Sequence, residues 1–293
     1  MSRRFRTTLS ACAVALTTAV ALVGFSAPNA QAFYIGYHES VTRHALPPDQ
    51  VTNDALVQIL VGPPPGGGAV GSDAFANEGW RHLDNSANPG DICANARIAW
   101  DVFSPVLLNG SRPAGDNLVD GPAARAAFGA LLHVQQDFYS HTNWVESNIA
   151  VGDLYRLAPP IFPVCNPADF PADLHTGFFN MDFSQEYPLE GCPPGGPPPP
   201  FQECHLTLAK DGSGDIRGSQ PVPGANLSMF DLASQLATTA STNLYNYVRG
   251  LVTTTNGTPA ANILFTTGGP GWVYPELTAM YQENRALLGG AVG

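Results

Sequence analysis

In the stretch Leu131-Leu132-His133-Val134-Gln135-Gln136-Asp137-Phe138-Tyr139-Ser140-His141-Thr142-Asn143-Trp144, His133, Asp137 and His141 recur at steps of four. A step of four on a helix rotates by about 40°, so all three groups project from one face. The ten residues before them, 123–132, are apolar almost all round, which predicts a helix buried in the middle of a bundle. At about 1.5 Å per residue, His133 and His141 lie roughly 12 Å apart along the axis, too far for both imidazoles to reach one ion easily. The row therefore suggests a cluster, with Asp137 between two metals. Its competitor is a solvated face or a hydrogen-bonded core network, and the remaining histidines weigh against that competitor.

Those histidines come with carboxylates. His38 stands five residues after Phe33, and Asp73, His82 and Asp84 fall within one short segment. In that segment Asp73 and His82 are candidate ligands and Asp84 an orienting partner behind them. Asp73 also fits an ordinary turn or helix cap, because it closes a Gly-Ser-Asp sequence of the kind such turns use. His205 follows Cys204, whereas His175 sits alone in a proline-rich segment and reads as exposed, and His44 lies about 120° round from His38 and reads as surface or packing. Trp80 and Trp144 read as core, and Glu39 and Glu146 as solvated faces.

Hydrophobic periodicity predicts helices over 38–46, 51–61, 91–108, 119–151, 227–252 and 274–288, with little strand-like alternation. Two proline and glycine clusters, 62–68 and 193–200, cannot continue a helix and read as exposed loops. Residues 158–223 are expected to be mostly irregular and tied by disulfides. No internal repeat is found. The expectation is one all-α domain over residues 33–293, large enough for a single good-sized core.

Residues 1–32 read as a signal peptide: Arg3, Arg4 and Arg6 precede an apolar run over 9–25 and the exit Ala30-Gln31-Ala32. The arginine pair suits twin-arginine export or general secretion, and cleavage after Ala32 makes Phe33 the mature N-terminus of a secreted protein. Of the 13 basic residues and 24 acids, this removes three basic ones and leaves 10 against 24, a net charge of −14. With Lys210 as its single lysine, the chain has no basic face for duplex nucleic acid, although bound divalent ions let an acidic protein hold a phosphate. Cys12 leaves with the signal, and Cys93, Cys165, Cys192 and Cys204 allow three pairings. Wide spacing without a Cys-x-x-Cys pair favours two disulfides over a thiolate zinc site.

Taken together, these residues resemble the zinc-dependent phospholipase C and single-strand nuclease superfamily, especially its Het-C-like branch. Four motifs, all within residues 33–211, carry the likeness: His38-Glu39-Ser40-Val41-Thr42; Arg81-His82-Leu83-Asp84-Asn85; the run from His133 through Glu146; and Thr176-Gly177-Phe178-Phe179 followed by Cys204-His205 and Lys210-Asp211. The resemblance implies an all-α fold of the phospholipase C type, with three zinc ions in a cleft that hydrolyse phosphodiester bonds. It gives His133 and Asp137 one metal shared with His82 and Asp73, a second held by Asp137, His38 and the amine and carbonyl of Phe33, and a third by His141 with His205. Asp73 would orient or deprotonate the attacking water. The family completes its third site with a His-x-x-x-Glu or His-x-x-x-Asp pair, but here Ala209 stands four residues after His205, which leaves Asp211, Asp231 or Glu146 to serve. The leading substrate is a phospholipid or another phosphodiester met in transient contact with a membrane surface by a monomer. The rivals are a single-strand nuclease, with aromatic stacking in place of a basic groove, and a non-catalytic secreted protein that keeps zinc for structure.

Overall fold

The computed structural model describes residues 35–180, 192–275 and 277. Phe33 and nearly all of the helix expected over 274–288 lie outside them. Eight α-helices run through the described residues: α1 (Ile35–Ala45), α2 (Asn53–Leu60), α3 (Pro89–Gly110), α4 (Gly121–His141), α5 (Trp144–Val151), α6 (His205–Leu208), α7 (Met229–Asn256) and α8 (Thr258–Thr266). The strands among these residues are β1 (Pro113–Ala114) and β2 (Asn117–Leu118), an antiparallel pair between α3 and α4. The fold is therefore mostly helical, as expected.

The helix starts follow from local chemistry. Thr52 accepts a hydrogen bond from the Ala55 N–H, Asn88 from Asp91 and Asp120 from Ala123, and Ser228 with Asp231 forms a reciprocal capping box on α7. Each cap supplies a partner to a backbone N–H that the first turn leaves open, and a proline early in α3 and α4 occupies a position that needs no N–H.

α4 is the axis of the molecule, packed by α2, α3 and α7. Every residue from Ala124 to His141 is buried, so most polar groups on this helix need partners within the protein. Gly129 makes the closest approach possible. A Cβ there would strike the Ile59 carbonyl and come within 2.7 Å of Ala69 N. The Ala69 carbonyl is thereby brought against the next turn of α4, where His133 stands.

Two departures from the periodicity have physical causes. The helix expected over 119–151 breaks at Thr142, whose backbone is extended (φ −92°, ψ 163°) and whose hydroxyl donates to the Phe138 carbonyl and accepts from the Trp144 N–H. No glycine or proline marks this break; the side chain itself competes for the helical hydrogen bonds. α8 lies outside the helices expected from periodicity; Gly257 ends α7, and Pro259 in the first turn begins a new helix.

Two of the three possible pairings are excluded by the disulfides, Cys93–Cys165 and Cys192–Cys204. The described residues between α5 and α7 are mostly irregular and are tied down by both bonds. Trp144 is fully buried in the hydrophobic core and Trp80 packs against it.

Candidate metal centre

Four parts of the chain bring nitrogen and oxygen donors to one face of α4. α1 contributes His38 from its first turns. A 3-10 turn, Gly71–Phe75, contributes Asp73; a second, Gly79–Arg81, leads into His82 and Asp84; and His205 opens α6, with Asp211 just beyond it. All are buried with His133, Asp137 and His141.

Asp137 is the hub of the first half. Its Oδ1 lies 3.2 Å from His38 Nε2, and its Oδ2 lies 3.2 Å from His82 Nδ1 and 3.0 Å from His133 Nε2. His133 Nε2 is also 3.0 Å from His82 Nδ1 and 3.9 Å from Asp73 Oδ1. In the second half His141 Nε2 lies 3.1 Å from His205 Nε2 and 3.3 Å from Asp211 Oδ1, and Asp84 Oδ1 lies 3.7 Å from His205 Nε2. Three groups result, each able to hold an ion: His38, His133 and Asp137; Asp73, His82 and His133; Asp84, His141 and His205.

The far side of each ring fixes which nitrogen faces the centre. His133 Nδ1 is 2.8 Å from the Ala69 carbonyl and His141 Nδ1 is 2.8 Å from the His82 carbonyl. A carbonyl oxygen only accepts, so both Nδ1 atoms carry the hydrogen and both Nε2 lone pairs point inward. His38 Nδ1 donates likewise to Gln136 Oε1 at 2.7 Å, while Gln136 Nε2 donates to Thr42 at 3.0 Å. Gln136, which the sequence reading passed over, thus sets the ring of His38. No spacing rule would have found it, since its partners lie on α1 and α7.

The backbone around Asp84 is held against its own preference. Leu83 and Asn85 both have φ of 56°, the left-handed region that side chains other than glycine rarely adopt. Asn85 is fixed there by the Phe179 N–H, which its side chain accepts at 2.8 Å, and by the Phe179 carbonyl, to which it donates at 3.0 Å. The consequence is that Asp84 sets its Oδ1 between His141 Nδ1, at 3.1 Å, and His205 Nε2, at 3.7 Å. The sequence reading made it an orienting partner only; the structure places it among the donors of the third group.

Of the three carboxylates expected to complete that group, two have other partners. Asp231 caps α7. Glu146 faces Lys210 at 3.3 Å and Arg217 at 3.5 Å. Asp211 is the one of the three beside His141, and it also accepts a short hydrogen bond from Ser140. Lys210, the single lysine, is fully buried and donates to the Thr142 and Leu208 carbonyls, so its ammonium joins the broken end of α4 to the segment bearing Asp211. His175 corrects its expectation: it is buried, because Asn143 accepts its N–H and donates to the Asp173 carbonyl, folding the segment onto the end of α4. His44 is exposed and donates to the Ser40 carbonyl.

The electrostatics of this pocket call for cations. Burial pushes the Asp73 carboxyl well above the usual range, and both its oxygens lack a hydrogen-bond donor, as do Asp84 Oδ1 and Asp137 Oδ1. Burial drives His133 down to about 3, and burial with the neighbouring His141 charge lowers His205. Burial opposes the charge on His38 too, but the Asp137 carboxylate overrides it and lifts the ring to about 9. Burial would also raise Asp137, yet the imidazoles of His133, His141 and His38 hold it well below the ordinary value. Four carboxylates buried among imidazoles are costly unless positive charge is held between them. The donor set fits divalent first-row ions: imidazole and carboxylate only, with the four described cysteines in disulfides. Bonds of about 2.0–2.2 Å to a tetrahedral ion place donors roughly 3.3–3.6 Å apart, close to the separations found here.

Residues 119–157, which hold α4, α5 and the row His133, Asp137 and His141, match the family described as the VWA7 N-terminal domain. No curated protein and no solved structure matches the chain. The likeness is thus to a short stretch, and that stretch supplies the spine of the donor cluster.

Proposed function

We propose that the chain is a secreted zinc-dependent phosphodiester hydrolase of the phospholipase C type. The observation that carries this reading is the convergence of three His/Asp groups on one buried face of α4, with His133 common to two of them. Two disulfides are compatible with an extracellular protein, and among the described residues no helix is long and apolar enough to cross a membrane.

Bound zinc would supply positive charge against the phosphate oxygens and make water a better nucleophile at neutral pH. The chain's own part is to hold donors and place the proton acceptor. Gln136, the Ala69 carbonyl and the His82 carbonyl fix three rings so that no reorganisation is needed when substrate arrives. Asp73 has two buried carboxylate oxygens without a hydrogen-bond donor, so one can serve as a ligand while the other orients water or takes its proton. Attack of the water oxygen on phosphorus breaks the bond to the glycerol oxygen; diacylglycerol leaves with a proton and the headgroup keeps the phosphate.

The test joins metal content to substrate. Elemental analysis of the purified protein is expected to give about three zinc ions per chain, with hydrolysis of phosphatidylcholine that a chelator abolishes. Cleavage of single-stranded DNA alone moves the reading to a nuclease, and a fully loaded protein inert on both substrates overturns the hydrolase in favour of a structural role for zinc.

A further inference from the structure

The opposite side of α4 holds a second feature, unrelated to the metal cluster. Gln135 and Tyr139 are two residues displaced from His133 and Asp137, about 200° round the helix, and so face away from the donors. A face of a fully buried helix is expected to be apolar or internally bonded. Tyr139 conforms: its ring is buried and its hydroxyl accepts the Ala158 N–H at 3.1 Å. Gln135 does not. It is 7 % exposed, yet its carboxamide makes no hydrogen bond to any described residue, whereas the neighbouring Gln136 bonds to His38, Thr42 and Ser241.

The Gln135 side chain lines a slot of about 160 Å³. One wall comes from the irregular segment after α5, with Leu157, Pro159, Pro160 and Phe162, which the Cys93–Cys165 bond and the Ala158–Tyr139 hydrogen bond hold in place. The facing wall is α7, with Leu244 and the partly exposed Tyr247 at the rim. The prolines offer no N–H, and apart from the tyrosines no lining residue is ionisable. Besides the tyrosine hydroxyls, the side-chain polar groups the slot offers are the carboxamides of Gln135 and, at the edge, Asn243.

A planar amide lining a slot walled by prolines, aromatic rings and leucines selects its own complement. A neutral ligand with one C=O and one N–H can exchange two hydrogen bonds with Gln135 while its ring fills the space, and a cavity near 150 Å³ accommodates roughly one benzene ring. Phosphates and carboxylates are disfavoured because nothing here offsets their charge. We propose that this slot is a binding site for a small ring-bearing carboxamide, independent of the metal cluster and of the activity assigned to it.

The experiment titrates the intact protein with benzamide, toluene and benzoate and follows the side-chain amide resonances by NMR. Saturable benzamide binding is expected, with a shift of the Gln135 NH₂ pair and contacts from the benzamide ring protons to Tyr139 and Tyr247; benzoate should not bind. Gln135→Leu should weaken benzamide about tenfold and leave toluene unchanged. Equal affinity of the wild-type protein for benzamide and toluene, the same benzamide affinity in Gln135→Leu, or no saturation up to about 10 mM benzamide overturns the assignment. If the variant fails to fold, absence of the ring contacts in the wild-type protein does so by itself.

Discussion

His133 has more depending on it than any other donor, because its Nε2 faces both Asp137 and His82 while its Nδ1 is anchored on Ala69. His133→Ala is therefore expected to remove two ions per chain and leave the group of Asp84, His141 and His205 loaded, and Asp84→Asn to remove one; elemental analysis of the two folded variants checks this, and equal losses from both would contradict the sharing. At this scale the sequence was partly legible. His133, Asp137 and His141 declare a common face through their spacing, and His38, Asp73, His82 and His205 are donor types near recognisable motifs. Asp84 as a donor and Gln136 as the support of His38 were not legible: the first depends on two residues with positive φ, and the second on a contact between residues 98 positions apart.

Helix α4 succeeds as a scaffold because its neighbours reach it closely. Gly129 admits the backbones of α2 and the loop after it, and so delivers the Ala69 carbonyl to His133. Gly129→Ala would drive a methyl into the Ile59 carbonyl and the Ala69 amide, backbone groups that cannot move aside as a flexible side chain can. A loss of about 3 kcal/mol or more is expected, read from the urea midpoint at unchanged slope, and a stability equal to that of the unaltered protein would show that α2 does not pack there. The main helices followed from apolar periodicity, since burying a stripe is what makes a helix pay in water. The break at Thr142 did not, because one hydroxyl and the Lys210 ammonium at the Thr142 carbonyl decide it, and neither leaves a periodic mark.

Across the whole molecule the buried imidazoles link protons, metal and stability. His38 is lifted to about 9 by Asp137 against the effect of burial, so in metal-free protein its contribution is complete below its unfolded value near 6.5 and is lost as pH rises toward 9. His133 is lowered to about 3 by burial, so its contribution is complete above 6.5 and is lost as pH falls toward 3. Chelated protein should accordingly be most stable near pH 6.5, with an alkaline decline of up to about 3 kcal/mol by pH 9. Zinc-loaded protein should lack that alkaline decline, because the ion takes the place of the proton on His38, and should lose stability more steeply in acid as protons displace the metal. Urea unfolding from pH 5 to 9 with and without chelator checks the sign; the same alkaline decline in both forms would exclude His38 as a ligand. By itself the sequence determined that the chain would be helical, that its central helix would be buried, and that this helix would carry donors on one face, because side-chain spacing and polarity act over a few residues and need no partner to be read. Tertiary structure alone decided which cysteines pair, which distant carboxylates complete the cluster, and that the carboxamide of Gln135 would face an apolar slot, because each of these depends on segments far apart in the chain being brought within bonding distance by the packing around α4.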